Sequence, residues 1–210
     1  MYSHKNKSIF IHIPKTAGWT MHNTLKRYAD FNSGGHIFNF TRRIPQISVR
    51  HYPSKLQKEK YLDSYFKFCF VRNPYDILVS SYKWWRREPK SGRKRKLYLE
   101  ILDMSFKEFI LKRAEFINEV NTEKLGQHYW ITDSDGNLLV DFIGKFENLQ
   151  QDFDLVCDKI GVSRQELPHE NKSDREHYSE YYDDETRSIV AELYAKDIKY
   201  FNYEFEEDEK

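Results

Sequence analysis

The sequence predicts an α/β fold, a single domain with a central, mostly parallel sheet flanked by helices. Two segments carry this prediction, because each reads as a buried strand followed at once by a tight loop and an amphipathic helix. The chain has 210 residues, enough to enclose one hydrophobic core. Since no internal repeat or Gly/Ser-rich linker divides it, we expect one domain over residues 1–210.

The first strand-loop-helix segment begins with the apolar run Ile9 to Ile13. The loop Pro14 to Gly18 follows, and Met21, Leu25 and Tyr28 then recur at helical spacing. The pattern predicts a buried strand that leads directly into the N-terminus of a helix.

The second strand-loop-helix segment begins with the strand pattern Tyr65 to Val71. The chain breaks at Arg72-Asn73, and Pro74 suits the first turn of a helix. The buried face of that helix is predicted to carry Ile77, Leu78, Ser81, Tyr82 and Trp85.

The later elements are predicted from caps and turns. Ser105 and Glu108 form the pattern of a capping box. A turn-rich sequence between 129–132 and 138–143 predicts a β-hairpin. Helices are expected after Leu149, ending at Gly161, and from 189 to 198, with residues 204–210 as a frayed acidic tail.

Composition excludes several classes of function. Lys and Arg number 34 against 33 Asp and Glu, so no overall field would draw the chain to nucleic acid or to a membrane surface. No apolar stretch approaches the roughly 20 residues that span a bilayer, and no signal-type segment opens the chain, so a cytoplasmic location is expected. The two cysteines lie in apolar segments, which predicts buried free thiols rather than a disulfide or a zinc site.

The loop from Pro14 to Thr20 is a candidate anion site. Backbone N–H groups and the helix dipole favour negative charge at such a position, and Gly18 permits close approach. Lys15, Thr16 and Thr20 add donors. The spacing of a nucleoside triphosphatase loop is absent, and on local composition an ordinary strand-to-helix turn explains the loop equally well.

The second loop favours the functional interpretation of the first. Arg72 ends a strand and Ser80 lies two turns into the next helix, so a guanidinium and a hydroxyl can converge on a second phosphate. Two such strand ends in one sheet indicate a ligand phosphorylated at both its 5′ and 3′ positions.

These residues carry a family resemblance. Ile11 to Thr20 resembles the 5′-phosphosulfate loop of sulfotransferases that use 3′-phosphoadenylyl sulfate (PAPS), and Phe68 to Tyr82 resembles their 3′-phosphate motif. The resemblance is closest to the carbohydrate branch, with its bacterial members and its heparan and chondroitin enzymes, and it extends through 141–149, 167–173 and 201–205. It implies a P-loop-like sulfotransferase fold, PAPS as donor, adenosine 3′,5′-bisphosphate (PAP) as product, no metal, and a carbohydrate or another hydroxyl-bearing acceptor.

The resemblance also implies which residues bind the nucleotide. They are Lys15, Thr16, Ala17, Gly18, Trp19, Thr20, Arg72 and Ser80. One departure is visible, because Trp19 stands where the family loop has a Thr. Thr20 is expected to retain the phosphate contact.

Sulfuryl transfer needs a group that stabilises the leaving phosphate and a base that takes the acceptor proton. Lys15 is the candidate for the first role. His51, shortly before the second strand, matches the catalytic histidine of the heparan 2-O-type enzymes, and His36 is the alternative base. His12 is interpreted as a core residue.

The basic run 86–96 leaves another function open. A charge run is most often a solvated loop, but Arg86 and Arg87, with His36, are candidates for acceptor binding. The run also fits a polyanion-binding module without catalysis, which would show steep salt dependence. A kinase is a third possibility, but the sequence has no clear set of magnesium-binding carboxylates.

Overall fold

The structure, a computed structural model, describes residues 1–30, 64–86, 101–120, 126–133, 135–168 and 176–208. The chain divides into two compact units, the first made of residues 1–71 and 127–171 and the second of residues 72–126 and 172–210. Each unit is described by itself below. The single-domain organisation stays a prediction.

Among the elements with described bounds, a helix follows each of the two predicted strands at 9–13 and 65–71, as the sequence predicts. The strands are β1 (Tyr2–Ser3), β2 (Ser8–Ile11), β3 (Phe66–Val71) and β4 (Phe142–Lys145). The α-helices are α1 (Gly18–Leu25), α2 (Pro74–Trp85), α3 (Phe106–Val120), α4 (Leu149–Ile160), α5 (Asp184–Leu193) and α6 (Ala195–Phe201).

The first unit contains the sheet, in the strand order β1-β2-β3-β4. β1 runs antiparallel to β2, whereas β2, β3 and β4 are parallel. The register places Ile11 opposite Cys69 and Val71 opposite Lys145. The carboxyl ends of three neighbouring strands therefore lie at the same edge, and the prediction of a mostly parallel sheet is confirmed.

The core of the first unit packs α1 and α4 against the sheet. Its fully enclosed aromatic residues include Phe68, Phe70 and Phe153, and Met21 from α1 is equally buried. The helix α4 ends as predicted at Gly161, whose φ of 70° is the left-handed conformation that glycine adopts without strain. Cys69 and Cys157 are both free and buried, as the sequence predicts.

The second unit is helical around an aromatic core. Tyr75, Leu78 and Tyr82 of α2 pack with residues of α3, of α5 and of the short 3₁₀-helix Tyr178–Tyr181. The predicted capping box begins α3: the Ser105 N–H donates to Glu108 Oε2 at 2.7 Å, and the Glu108 N–H donates to Ser105 Oγ at 3.2 Å.

The predicted hairpin forms only around its turn, where the Leu139 N–H donates to the Ile131 carbonyl at 2.8 Å and the Asp133 N–H to the Asn137 carbonyl at 3.0 Å. Residues 128–130 form a 3₁₀-helix, and a single bridge joins Thr132 to Leu138. The second predicted hairpin strand pairs instead with β3, because the Asp141 N–H donates to the Lys67 carbonyl at 2.7 Å and the Asp141 carboxylate accepts the Lys67 N–H at 2.7 Å. These two bonds direct residues 142–145 into the parallel sheet.

The C-terminal predictions also need correction. The expected helix from 189 to 198 is divided at Tyr194, whose φ of −112° ends α5 before α6 begins. Residues 204–206 are not frayed. The Glu204 carbonyl accepts a hydrogen bond from Asn73 Nδ2 at 2.8 Å, and the Glu206 N–H donates to the Tyr178 hydroxyl at 2.7 Å. These bonds and the Phe205 ring hold the segment against the second unit's aromatic core.

Within the described part of the chain, none of the helices combines the length and the apolar character that crossing a bilayer requires.

Candidate active site

The loop after β2 has an unusual backbone. Lys15 has a φ of 70° and Ala17 a φ of 63°, both in the left-handed region that non-glycine residues rarely adopt. Each such residue costs on the order of 1–3 kcal/mol, and such strain clusters at binding sites. Left-handed residues within a turn are typical of backbone that gathers its N–H groups around an anion. The conformation at Lys15 and Ala17 thus favours the functional interpretation of this loop.

Thr16 closes the loop from within. Its side chain is fully buried, and its hydroxyl donates to the Ile13 carbonyl at 2.9 Å. Its proton has an internal acceptor in this structure, and its contact with a phosphate stays a prediction.

His12 packs directly beneath Gly18. A Cβ atom at position 18 would lie 1.8 Å from His12 Nε2, so no side chain fits there while the imidazole keeps its place. Burial lowers the pKa of His12 to about 4, and the positive charges of the first residue's amino group and of His22 lower it further. A neutral imidazole therefore packs against the first turn of α1.

The start of α1 carries two more predicted site residues. Trp19 is 60% exposed, and its ring lies 6.2 Å from that of His22. Thr20, the next residue, is buried in the first helical turn. The phosphate contact of Thr20 stays a prediction.

The loop after β3 brings Arg72 and Ser80 together. Asn73 caps α2 by accepting the Tyr75 N–H at 3.1 Å, and Arg72 Nη1 lies 3.5 Å from Ser80 Oγ. Arg72 is only 7% exposed, and its guanidinium also pairs with Asp76 at 2.6 Å. The cation and the hydroxyl thus converge as the spacing predicts, and their contact with a phosphate stays a prediction.

The sheet accounts for where both loops begin. β2 and β3 are parallel neighbours, so the chain leaves both at the same edge. Lys15 belongs to the first unit, and Arg72 is the first residue of the second. That one nucleotide contacts both residues therefore stays a prediction.

Arg86 makes structural contacts at the end of α2. Its Nη1 donates to the Tyr82 hydroxyl at 2.8 Å and to the Met104 carbonyl at 2.8 Å. Arg86 thus ties α2 to the segment before α3, and its contact with an acceptor stays a prediction. Arg87 and the rest of the basic run, together with both candidate bases, His51 and His36, lie outside the described residues.

The predictions from the sequence do not include two features of the site. The pairing of Arg72 with Asp76 was visible as an i,i+4 pair of opposite charges at a helix start. The contact of His12 with Gly18 has no local signal, because a strand end and a helix start six residues apart come together only through the loop conformation. Among the described residues, no group of three or more His, Cys, Asp and Glu side chains could hold a metal ion.

A comparison with protein families decides the identity. The sequence model described as "Sulfotransferase family" matches residues 1–204. The chain belongs to the Sulfotransferase family. The predicted family and the α/β fold class are thereby confirmed, and sulfuryl transfer is the chemistry that the family supports in general.

Several similar proteins match part or most of this chain. The chain is 34% identical over 106 residues to an uncharacterized protein of Archaeoglobus fulgidus, which covers 50% of this chain and 74% of that one. Carbohydrate sulfotransferase 11 of Mus musculus is 28% identical over 188 residues, covering 76% of this chain and 50% of the relative. Carbohydrate sulfotransferase 10 of Rattus norvegicus is 25% identical over 183 residues, with coverage of 72% and 50%.

The chain thus spans about half the length of the carbohydrate sulfotransferases it matches. Among solved structures, it is similar to mouse sulfotransferase SULT7A1 complexed with PAP, with a TM-score of 0.47 and 12% identity over 94% of this chain and 86% of that one.

Proposed function

We propose that this sulfotransferase moves the sulfuryl group of PAPS to a hydroxyl of a carbohydrate acceptor and releases PAP. The observation that carries the proposal is the left-handed backbone at Lys15 and Ala17, between a buried parallel strand and a helix N-terminus. Such a loop suits the 5′-phosphosulfate end of the donor. The Arg72 guanidinium beside the Ser80 hydroxyl supplies the kind of donors that a 3′-phosphate requires.

The chemistry assigns Lys15 to the leaving group. The acceptor oxygen attacks sulfur, and the bond from sulfur to the bridging oxygen of the 5′-phosphate breaks, so negative charge grows on that phosphate. An ammonium group beside the bridging oxygen interacts more strongly as this charge develops. Lys15 therefore lowers the barrier to transfer beyond what it contributes to binding.

The acceptor hydroxyl must lose its proton as the new bond to sulfur forms. We assign this role to His51, with His36 as the alternative, because an imidazole titrates near neutral pH. Both assignments rest on the sequence and on the family resemblance.

The carbohydrate acceptor and the dependence on PAPS are the finer parts of the proposal. The named relatives that align with most of this chain are carbohydrate sulfotransferases. A cytoplasmic location stays a prediction from the sequence.

Titration with PAP tests the nucleotide assignment. PAP should raise the melting temperature of the protein at concentrations at which ATP has a smaller effect, because ligands that bind only the folded state stabilise it. No response to PAP, or an equal response to ATP, would contradict the assignment. Transfer of radiolabelled sulfate from PAPS to a panel of oligosaccharides, lipids and small alcohols then identifies the acceptor.

Replacing Lys15 separates catalysis from binding. Lys15→Ala should lower kcat by about 10²- to 10³-fold, as loss of one transition-state contact does elsewhere, with a much smaller change in the Kd for PAP. Lys5→Ala, at an exposed lysine outside the loop, is the matched control. Equal losses in kcat and PAP affinity would make Lys15 a phosphate-binding residue only.

A further inference from the structure

The guanidinium of Arg72 is held by a carboxylate as well as by its position after β3. Arg72 Nε donates to Asp76 Oδ2 at 2.6 Å, and Nη2 lies 2.6 Å from the same oxygen. The third nitrogen, Nη1, is 3.5 Å from Ser80 Oγ. One edge of the guanidinium thus meets Asp76, while another nitrogen is directed to the hydroxyl that the proposed 3′-phosphate site uses.

Burial makes this pair more than a surface contact. The side chain of Arg72 is 9% exposed and that of Asp76 is 14% exposed. A guanidinium so enclosed needs a compensating negative charge, and breaking such a pair is costly because it leaves the other charge in a poorly solvated place. Before a phosphate binds, Asp76 supplies that charge.

The backbone fixes the carboxylate in place. Asp76 lies in the first turn of α2, four residues after Arg72, and the side chain of Asn73 caps that turn. Arginine has many rotamers, and freezing them on binding costs affinity. A carboxylate on a capped helical turn removes this cost in advance by holding the guanidinium plane in one orientation.

We propose that Asp76 is a positioning residue for the 3′-phosphate of the nucleotide, acting through Arg72. The inference rests on the proposed function and names one further residue of that same site. A carboxylate near a phosphate also repels it, and this repulsion would have the opposite effect on phosphate binding. If repulsion outweighed positioning, removal of Asp76 would strengthen the contribution of the 3′-phosphate to binding.

The test compares PAP with adenosine 5′-phosphate, which lacks the 3′-phosphate. The Kd for adenosine 5′-phosphate divided by the Kd for PAP measures what the 3′-phosphate contributes to binding. Both constants are measured by calorimetry on the full chain for wild type, Asp76→Ala and Asp76→Asn. Asp158→Ala is the matched control, because it breaks the exposed ion pair with Arg164 on the surface of the first unit.

Asp76→Ala should weaken PAP binding by about tenfold, the size expected for a misdirected charge-assisted hydrogen bond, and change adenosine 5′-phosphate binding by less than about twofold. Asp76→Asn keeps an acceptor for Nε and should lie between Asp76→Ala and wild type. The control should keep the wild-type ratio.

An unchanged or increased ratio in both Asp76 variants overturns the inference, and so does an equal loss for the two nucleotides. If Asp76→Ala does not fold, the ratio of dissociation constants in Asp76→Asn alone tests the inference. A second measurement uses Arg72→Gln, in which Asp76→Asn should cause no further loss of PAP affinity. Failure of wild type to prefer PAP over adenosine 5′-phosphate would instead count against the proposed function.

Discussion

His12 shows how one residue links loop geometry to pH. The folded protein holds its imidazole against Gly18 with a pKa of about 4, compared with the ordinary value of 6.5. Between these two values the unfolded chain binds a proton that the folded chain does not. The free energy of unfolding therefore falls as the pH is lowered from 6.5 towards 4, and His12 contributes its full stabilisation only above that range.

Replacing His12 by Gln should remove this part of the pH dependence. As the pH falls from 6.5 to 4, urea unfolding of wild type should show a loss of about 3 kcal/mol in the free energy of unfolding, beyond any loss seen in His12→Gln. The amide of Gln keeps a polar side chain of similar reach without a charge to gain. Parallel stability curves for the two proteins across this interval would contradict the assignment.

The C-terminal segment, residues 202–208, illustrates what an element gains from tertiary contacts. Its composition is acidic and predicts a frayed end, yet the Phe205 ring lies 4.9 Å from Tyr75 and 5.5 Å from Tyr178, in edge-to-face geometry. Arg187 places its guanidinium carbon 4.3 Å from the centre of the same ring. One aromatic residue thus anchors a segment that its charges alone would leave solvated.

Phe205→Ala should lower the free energy of unfolding by about 2–3 kcal/mol, somewhat less than for a fully buried phenylalanine. Chemical denaturation measures this change, and Phe205→Leu should cost less because it fills part of the space. Leu155→Ala is the control, since Leu155 is 54% exposed on α4 and its loss should change stability little. If Phe205→Ala leaves the free energy of unfolding unchanged, Phe205 does not anchor the segment and the prediction of a frayed tail stands.

At the scale of the whole molecule, the sequence predicts best what short-range interactions determine. The capping box of Ser105, the helix end at Gly161 and the approach of Ser80 to Arg72 all depend on residues at most eight positions apart. The predicted hairpin does not extend beyond Leu139 because Asp141 pairs with Lys67, a partner 74 positions away. Local spacing contains no information about that choice.

The loop after β2 lies between these cases. Strand, loop and helix were predictable from apolar periodicity, but the internal hydrogen bond of Thr16 and the left-handed φ of Ala17 were not. Both are features of the folded loop that apolar periodicity does not describe. A composition rich in donors therefore indicates a candidate anion site without predicting the internal hydrogen bond of Thr16.

The proposal that one nucleotide is bound by both loops makes a prediction about the whole chain. Because ligand binding suppresses local opening where the ligand makes contact, PAP should slow amide hydrogen exchange in residues 14–20 and in residues 72–80. Both segments should respond with the same half-saturating concentration, since a single binding event protects them. Adenosine 5′-phosphate should protect the first segment and leave the second near its unliganded rate. If PAP protects only one of the two segments, or protects them with different half-saturating concentrations, then Lys15 and Arg72 do not bind the same nucleotide.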